Sequence, residues 1–509
     1  METSKPGWIL LQNAYGLIIG YLIYYIIFRS AGVTAFGIFS FALSFGLVFS
    51  FVSDLGINTA HTRMIAAGRD RNEYNNALIF MKVVLTLTYI GVILASIFIW
   101  VAVLHKGFQT RYELLSILIL IPYFFTLPYV QAVRSFFTGT LEAAKMAIPG
   151  MAESTTRLVA VVFFIRFNIF NISNLNEMAL MIALAYSLSY IVYAILSFII
   201  GRPWRFKWPK FSIMKEYMRY SYPLIGVAVA LALSSNVAQI LIQLYFHSYE
   251  VGGYAGDLRI ISIITAFSGS LTILILPIMT SHSGSKEEYG VKVSQMVKYL
   301  AIFISPLTVF VAVFASPVLN LWSNQLIPFA FPLQLILVST WFTTMATPFW
   351  THFNAIGKTK VSGAINIITY LIIIALDIVL IPTYLFGIKF PGLGVTGAAL
   401  AVVASGVTNF VLSVLIFNRE VRVPDAFGSI KPTLISIIVG IPFYLLFGDE
   451  LRIPALILIG FFLLYVLVYF GLLIASRTLS RQEVIEIVNV INLKKILKYA
   501  IDELRKPSQ

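Results

Sequence analysis

The sequence predicts an all-α polytopic membrane protein: about fourteen transmembrane helices in two pseudo-symmetric six-helix bundles, two C-terminal helices and an amphipathic tail. Three observations predict it. Hydrophobic residues make up 59% of the 509 residues and charged residues only 11%, so there is more apolar side chain than a soluble core could bury, and the excess must meet lipid. The apolar residues come in runs of roughly 20 or more, the length a helix needs to cross the hydrocarbon core, without the alternation of a membrane barrel. Finally, "FFTGTLEAAKMA" from Phe136 and "HFNAIGKTKVSG" from His352 occupy equivalent places between spans, with Lys145 and Lys360 215 residues apart.

The expected spans are Gly7 to Phe28, Val33 to Val52, Ala77 to Leu104, Leu114 to Phe137, Pro149 to Phe170, Met178 to Ile200 and Tyr222 to Phe246 in the first seven places. The remaining seven are Tyr254 to Met279, Met296 to Leu319, Pro328 to Pro348, Val361 to Ile381, Gly394 to Phe417, Pro432 to Phe447 and Ile453 to Ala475. The first follows Lys5 but is long and lacks a small-residue cleavage site, so it reads as a retained span and not a signal peptide.

Shifting the first six spans by the repeat interval lands them on spans seven to twelve, and "TAFGIFS" (Thr34 to Ser40) then falls near "VGGYAGD" (Val251 to Asp257). Six helices per half keeps the halves in one orientation, so an axis along the membrane normal would relate them. The expected division is residues 1–205 and 206–425 for the bundles, 426–479 for the last two spans and 480–509 for a cytoplasmic tail. In that tail Ser480 and Glu483 have capping-box spacing, and Lys494, Lys495 and Lys498 would face lipid headgroups.

The net charge of +14 follows the loops and does not point to nucleic acid. With both termini cytoplasmic, outward loops hold six basic residues (Arg29, Lys106, Arg111, Arg166, Lys389 and Arg452) and two, Arg157 and Arg259, lie deep within spans. The cytoplasmic loops and ends, together with Lys82, Arg134 and Lys298 near the cytoplasmic ends of their spans, then collect 28 of the 36 Lys and Arg, the asymmetry expected of a chain inserted in the plasma membrane this way round. No stretch between spans exceeds about 25 residues, which leaves no room for a soluble catalytic domain. The chain has no cysteine, and its five histidines form no ligand-spaced pair, so neither a metal nor a cofactor is expected.

Ionisable residues inside spans cost roughly 2.5–3.5 kcal/mol each, so their positions are informative. Glu153 and Arg157 are four apart on one face of the fifth span, either a self-neutralising pair or a cavity wall that handles substrate. Asp257 and Arg259 are two apart and point to different faces of the eighth span, which favours at least one polar wall; Arg259 is the leading substrate-facing cation. Asp377 stands alone in the eleventh span, as a coupling-ion candidate or a water-capped carboxylate at the outer interface. Asn236 and Gln239, with Gln12, Asn13 and Gln243, could hydrogen-bond sugars or neighbouring helices. Gly16 and Gly20 have the GxxxG spacing of close helix packing.

Asp54, in "FVSDLGINTAHTR", ends the second span, where the helix dipole disfavours a carboxylate and a cationic partner is expected. Arg63 is the nearest candidate, with Gly56 allowing the turn; such a latch would shape an inner gate near which Arg134 also falls.

"FGIFSFALSFGLVFSFVSDLGINTAHTRMIA" from Phe36, "GGYAGDLRI" from Gly252, "LILPIMTS", "NAIGKTK" from Asn354 and "PGLGVTGAALAVVAS" from Pro391 carry a resemblance over essentially the whole chain. The chain resembles the Wzx-type polysaccharide flippases of the multidrug/oligosaccharidyl-lipid/polysaccharide exporter superfamily. That resemblance implies transport of a polyprenyl-linked oligosaccharide to the outer leaflet through a cavity between the halves, with membrane lipids and glycan-assembly enzymes as partners, a monomeric protein and no enzymatic activity. A cationic cavity would suit the lipid phosphate, and here the idea carries to Arg157 and Arg259, then to Arg134 and Arg63. The alternatives are a cation-coupled multidrug exporter of the same superfamily, a membrane polysaccharide polymerase or ligase, and a scaffold that recruits glycan-assembly enzymes.

Overall fold

In hydrocarbon every backbone N–H and C=O must be satisfied within its own segment, so each apolar run is driven into helix. The computed structural model describes residues 5–103, 107–168, 172, 174–201, 208–280, 286–385, 387–421, 430–448 and 450–479. The tail expected at 480–509 lies outside the described residues.

Helix α1 (Lys5–Ser30) is followed by α2 (Gly32–Leu47), the four-residue α3 (Phe51–Asp54) and α4 (Ile57–Ala66). The second span is thus longer than expected and broken: Gly32–Leu47 and Phe51–Ala66 meet at a 42° bend. Within the second segment two consecutive left-handed residues, Leu55 at φ 48° and Gly56 at φ 80°, separate α3 from α4; glycine adopts that region at no steric cost, whereas Leu55 is held there by its surroundings. In "FVSDLGINTAHTR" every residue but Leu55 and Gly56 is helical.

Helix α5 (Arg71–Phe98) begins at Asp70, whose carboxylate accepts from the Glu73 amide at 2.7 Å. The next span is split into α6 (Arg111–Ile119) and α7 (Ile121–Thr140), with Pro122 at the junction. There follow α8 (Ala143–Val161), α9 (Met178–Gly201), α10 (Phe211–Tyr245), α11 (Ser248–Thr280), α12 (Lys286–Val313), α13 (Ala315–Trp322), α14 (Ala330–Ala355) and α15 (Thr359–Leu380). Strands β1 (Tyr384–Leu385) and β2 (Ile388–Lys389) form a small antiparallel hairpin before α16 (Gly394–Asn418), α17 (Ile430–Phe447) and α18 (Ala455–Ala475).

Among the described residues twelve helices are long and apolar enough to cross a membrane, and thirteen if the bent pair counts as one span. The expected eighth span falls on α11, 33 residues of unbroken helix. The protein is an all-α, multi-pass membrane protein.

The contacts divide the chain into two compact units, Trp8–Gly256 with Asn366–Ala401, and Asp257–Ile365 with the chain from Val402. Helix α10, assigned from the repeat to the second bundle, packs on α2, α4 and α5 and so belongs to the first unit. That unit has a core of Ile57, Met64, Leu78, Phe136, Phe137 and Tyr217. The second unit is built on α12, which packs against α14, α17 and α18, with Phe310 and Phe314 meeting Tyr465 and Phe461.

Glycine matters where backbones cross. Gly37 of α2 lies against the Ser248 carbonyl, and Gly252 of α11 against the Val33 carbonyl, so that a Cβ at either would overlap the opposite backbone. The two repeat-equivalent segments therefore touch each other through their glycines. Gly16 and Gly20, by contrast, have open space where a Cβ would stand, so the GxxxG spacing in α1 marks no close packing.

Candidate functional site: a charged and aromatic bundle tied to helix α10

Three polar layers occur at different depths in the first unit, two of them on α10. At the end expected to face the cytoplasm, the αL turn at Leu55–Gly56 leaves Asp54 pointing to α5. Lys82 of α5, 3% exposed, donates to the Asp54 carboxylate at 2.8 Å and to the Ser53 carbonyl at 2.9 Å. The Asn58 amide adds a bond to the same carboxylate at 3.2 Å. Asp54 thus has the cationic partner its helix end demands, but it is not Arg63. The turn rotates α4 so that Arg63 faces α10, where it donates to the Tyr220 hydroxyl at 2.9 Å with its guanidinium 5.0 Å from the ring centre.

Further bonds join α4 and α5 to α10. His61 Nδ1 and the Tyr217 hydroxyl are 2.6 Å apart in a buried contact, and the Tyr217 hydroxyl donates to the Tyr74 carbonyl at 3.3 Å. Glu216 accepts from Arg69 at 2.9 Å and from the Tyr74 hydroxyl at 2.6 Å, and Lys210 pairs with Glu73. Exposed pairs of this kind contribute about 0.2–1 kcal/mol each, so they set the register of α10 more than its affinity. The buried His61–Tyr217 contact does more, because its loss would orphan a buried polar group.

The middle layer is the Glu153–Arg157 ion pair on α8, with the Ser189 hydroxyl of α9 donating to Glu153 at 3.0 Å. The Arg157 guanidinium lies 4.3 Å from the centre of the Tyr186 ring, and the Tyr186 and Tyr24 hydroxyls are 3.0 Å apart. Tyr15 of α1 and Thr155 of α8 share a 2.6 Å bond. The self-neutralising pair is formed, yet Arg157 Nε, itself buried, has no partner among the described residues. This layer can therefore offer an anion one unused charged donor beside aromatic faces suited to sugars. Arg134, one helix away on α7, is exposed.

The third layer is at the opposite end of α10. Glu113, 1% exposed in the first turn of α6, accepts from the Gln109 amide at 3.1 Å and from the Gln243 side chain at 3.1 Å. Gln109 in turn donates to the carbonyls of Gln243 and Phe246, at 2.5 and 2.7 Å. Sequence reading missed Glu113 and Lys82. The signals were present: Thr110 and Glu113 have the T-x-x-E spacing of a capping box, and Lys82 sits five residues inside an expected span.

The other expected site residues are placed as follows. Asn236 is buried and donates to the Ala232 carbonyl of its own helix at 2.8 Å, so part of its amide is used locally. Gln239 has a buried Oε1 with no partner among the described residues. Asp257 is fully buried, with neither carboxylate oxygen partnered among the described residues, so it does not neutralise Arg259. Asp377 is also 0% exposed, with both oxygens unpartnered among the described residues. Burying a carboxylate without partners is costly, and a position that bears the cost in a membrane helix is a functional candidate.

A family model of polysaccharide biosynthesis proteins matches residues 4–283, more than half of the chain. The chain belongs to that family. No curated protein matches the sequence. Among solved structures, the chain is similar to a lipid II flippase MurJ in an inward closed conformation, with TM-score 0.72 at 15% identity over 92% of this chain and 98% of that one. It is also similar to an inward-facing multidrug resistance MATE transporter of the MOP superfamily, with TM-score 0.60 at 16% identity over 80% and 95% of the two chains. A MOP superfamily transporter from Pyrococcus furiosus, with a binding pocket described as reversed in polarity, matches with TM-score 0.52 at 15% identity over 82% and 96%. The chain shares the fold of these MurJ and MATE structures, the fold that the resemblance in the sequence implied.

Proposed function

We propose that the protein is a flippase that moves a polyprenyl (pyro)phosphate-linked oligosaccharide from the cytoplasmic to the outer leaflet by alternating access, in the assembly of a cell-surface polysaccharide or glycan. The observation that carries this reading is the membership of a polysaccharide biosynthesis family in a chain whose fold matches a lipid II flippase over 92% of its length. The Glu153–Arg157 layer supports it: the unused donor of Arg157 beside Tyr186 suits a phosphate next to sugar rings. Arg259 would supply a second cation, with Asp257, Asn236 and Gln239 as further wall residues, and Asp54, Arg63 and Arg134 would act at the inner gate. Both termini would be cytoplasmic and the protein monomeric, working beside glycan-assembly enzymes without catalysing a reaction itself.

The test is transbilayer movement of a fluorescent polyprenyl-diphosphate oligosaccharide in reconstituted vesicles. Wild-type protein should exceed protein-free vesicles by at least about tenfold, and Arg157→Gln and Arg259→Ala should each lose most of that excess, since each deletes a charge-assisted bond worth about 1.5–3 kcal/mol. Equal rates with and without protein would sink the flippase reading. Normal rates in both variants would remove the two arginines from it.

Asp257 and Asp377, unpartnered among the described residues, favour one second reading, cation-coupled export by the same fold. If Asp377 is the coupling site, Asp377→Asn should retain folded protein while transport no longer responds to an imposed sodium or proton gradient. A gradient response equal to wild type would exclude Asp377 from coupling.

A further inference from the structure

Where α5, the start of α10 and the αL turn meet, the first unit holds a groove of about 560 Å³ lined by Leu55, Phe80, Met81, Val84, Met214 and Lys215, with Leu85, Phe211 and Met218 completing it. That volume is within the range of about 300–1,000 Å³ typical of ligand pockets. It spans the first two turns of α10, ahead of the expected span from Tyr222, and the third and fourth of α5, inside the expected span from Ala77, so it straddles the expected membrane boundary on the Lys210 side. Val84 and Phe211 are 48% and 76% exposed, so the groove opens sideways towards the bilayer. The Trp208 ring, 6.1 Å from that of Phe80, stands at its rim at the level where tryptophans meet headgroups.

The groove holds one charge, that of Lys215, and Arg219 follows one turn later on the same face of α10. Lining the rest are methionine, phenylalanine and aliphatic side chains, whose flexible thioethers adapt to an irregular chain. A glycan would find no hydrogen-bonding side chain there apart from the lysine. A hydrocarbon chain attached to an anionic headgroup matches both features.

We propose that this groove seats one acyl chain of an anionic phospholipid of the adjacent leaflet, with its phosphate held by Lys215 and Arg219. The walls belong to the same elements that make the inner network, since Leu55 follows Asp54, Met81 precedes Lys82, and Met214 and Met218 flank Glu216 and Tyr217. A chain lodged between α5 and α10 therefore adds apolar contact across the seam those polar bonds span. The lipid binds as a structural ligand, and the inference does not depend on what is transported.

Native mass spectrometry of the delipidated full chain with added phosphatidylglycerol or phosphatidylcholine tests this. Wild-type protein should retain phosphatidylglycerol about fivefold better than phosphatidylcholine, a preference equivalent to about one lysine–headgroup attraction. Val84→Trp, which fills the groove, should lose the tightly held lipid, and Lys215→Glu should abolish the preference between headgroups. Should the tryptophan variant misfold, Lys215→Glu at an exposed position decides the matter alone. Equal retention of the two lipids by wild type, or unchanged preference in Lys215→Glu, would overturn the proposal. So would displacement of the bound phosphatidylglycerol by a polyprenyl phosphate at equimolar concentration, which would make the groove a substrate site.

Discussion

Lys82→Met is expected to destabilise the protein by about 3 kcal/mol, read as a clear fall in the thermal unfolding midpoint of purified protein. Breaking a buried ion pair by removing one partner costs about 3–5 kcal/mol, because the remaining charge is stranded. The lower end applies here, since the Asp54 side chain keeps 27% exposure and Lys82 only 4%. Loss of the ammonium also releases the Ser53 carbonyl, to which it donates at 2.9 Å just before the αL turn. The double variant Asp54→Asn with Lys82→Met should recover most of the loss, because deleting both charges leaves none stranded. If the single and double variants melt alike, Lys82 acts through its aliphatic stem and not through the pair.

That pair shows how far sequence reasoning reached. The dipole argument required a cation for Asp54, and one is there. Choosing Arg63 failed because proximity along the chain was taken for proximity in space. Two consecutive left-handed residues redirect α4, so Arg63 meets Tyr220 on α10 while a lysine 28 residues beyond Asp54 fills the gap. Spans were legible because length and hydropathy alone decide them in a bilayer. The left-handed turn between α3 and α4 was not, since an isolated glycine does not reveal that its leucine neighbour is also forced to positive φ. Glu153 and Arg157 were legible as a pair from their spacing, but the Tyr186 face beneath the guanidinium comes from α9 and has no local signature. For α10 the two criteria group differently: the repeat expected from the sequence places it with the later helices, whereas it packs on α2, α4 and α5.

The glycines at the α2–α11 crossing give the second large effect. Gly37→Leu should force apart the first turns of α2 and α11, because the new side chain has backbone directly opposite it and no rotamer avoids a carbonyl. Overpacking in a well-packed core costs about 1–3 kcal/mol where side chains can yield, and more where only backbone can move. In a membrane protein with more than one arrangement of its helices, that cost falls on whichever state keeps the crossing closed, so the variant is expected to shift towards states in which it is open. The chain has no cysteine, which makes the shift directly measurable. Ser40→Cys, at a position 3% exposed one turn beyond Gly37, should react slowly with a water-soluble maleimide in the wild-type background and at least about tenfold faster with Gly37→Leu, the ratio a 1.4 kcal/mol shift produces. Gly252→Leu should do the same from the opposite side, since its Cβ would meet the Val33 carbonyl. Unchanged labelling in both variants, with the protein still folded, would mean that this contact does not open during the working cycle. The two repeat segments would then form a fixed pivot, and the moving seam would have to lie at the polar bonds that hold the other end of α10.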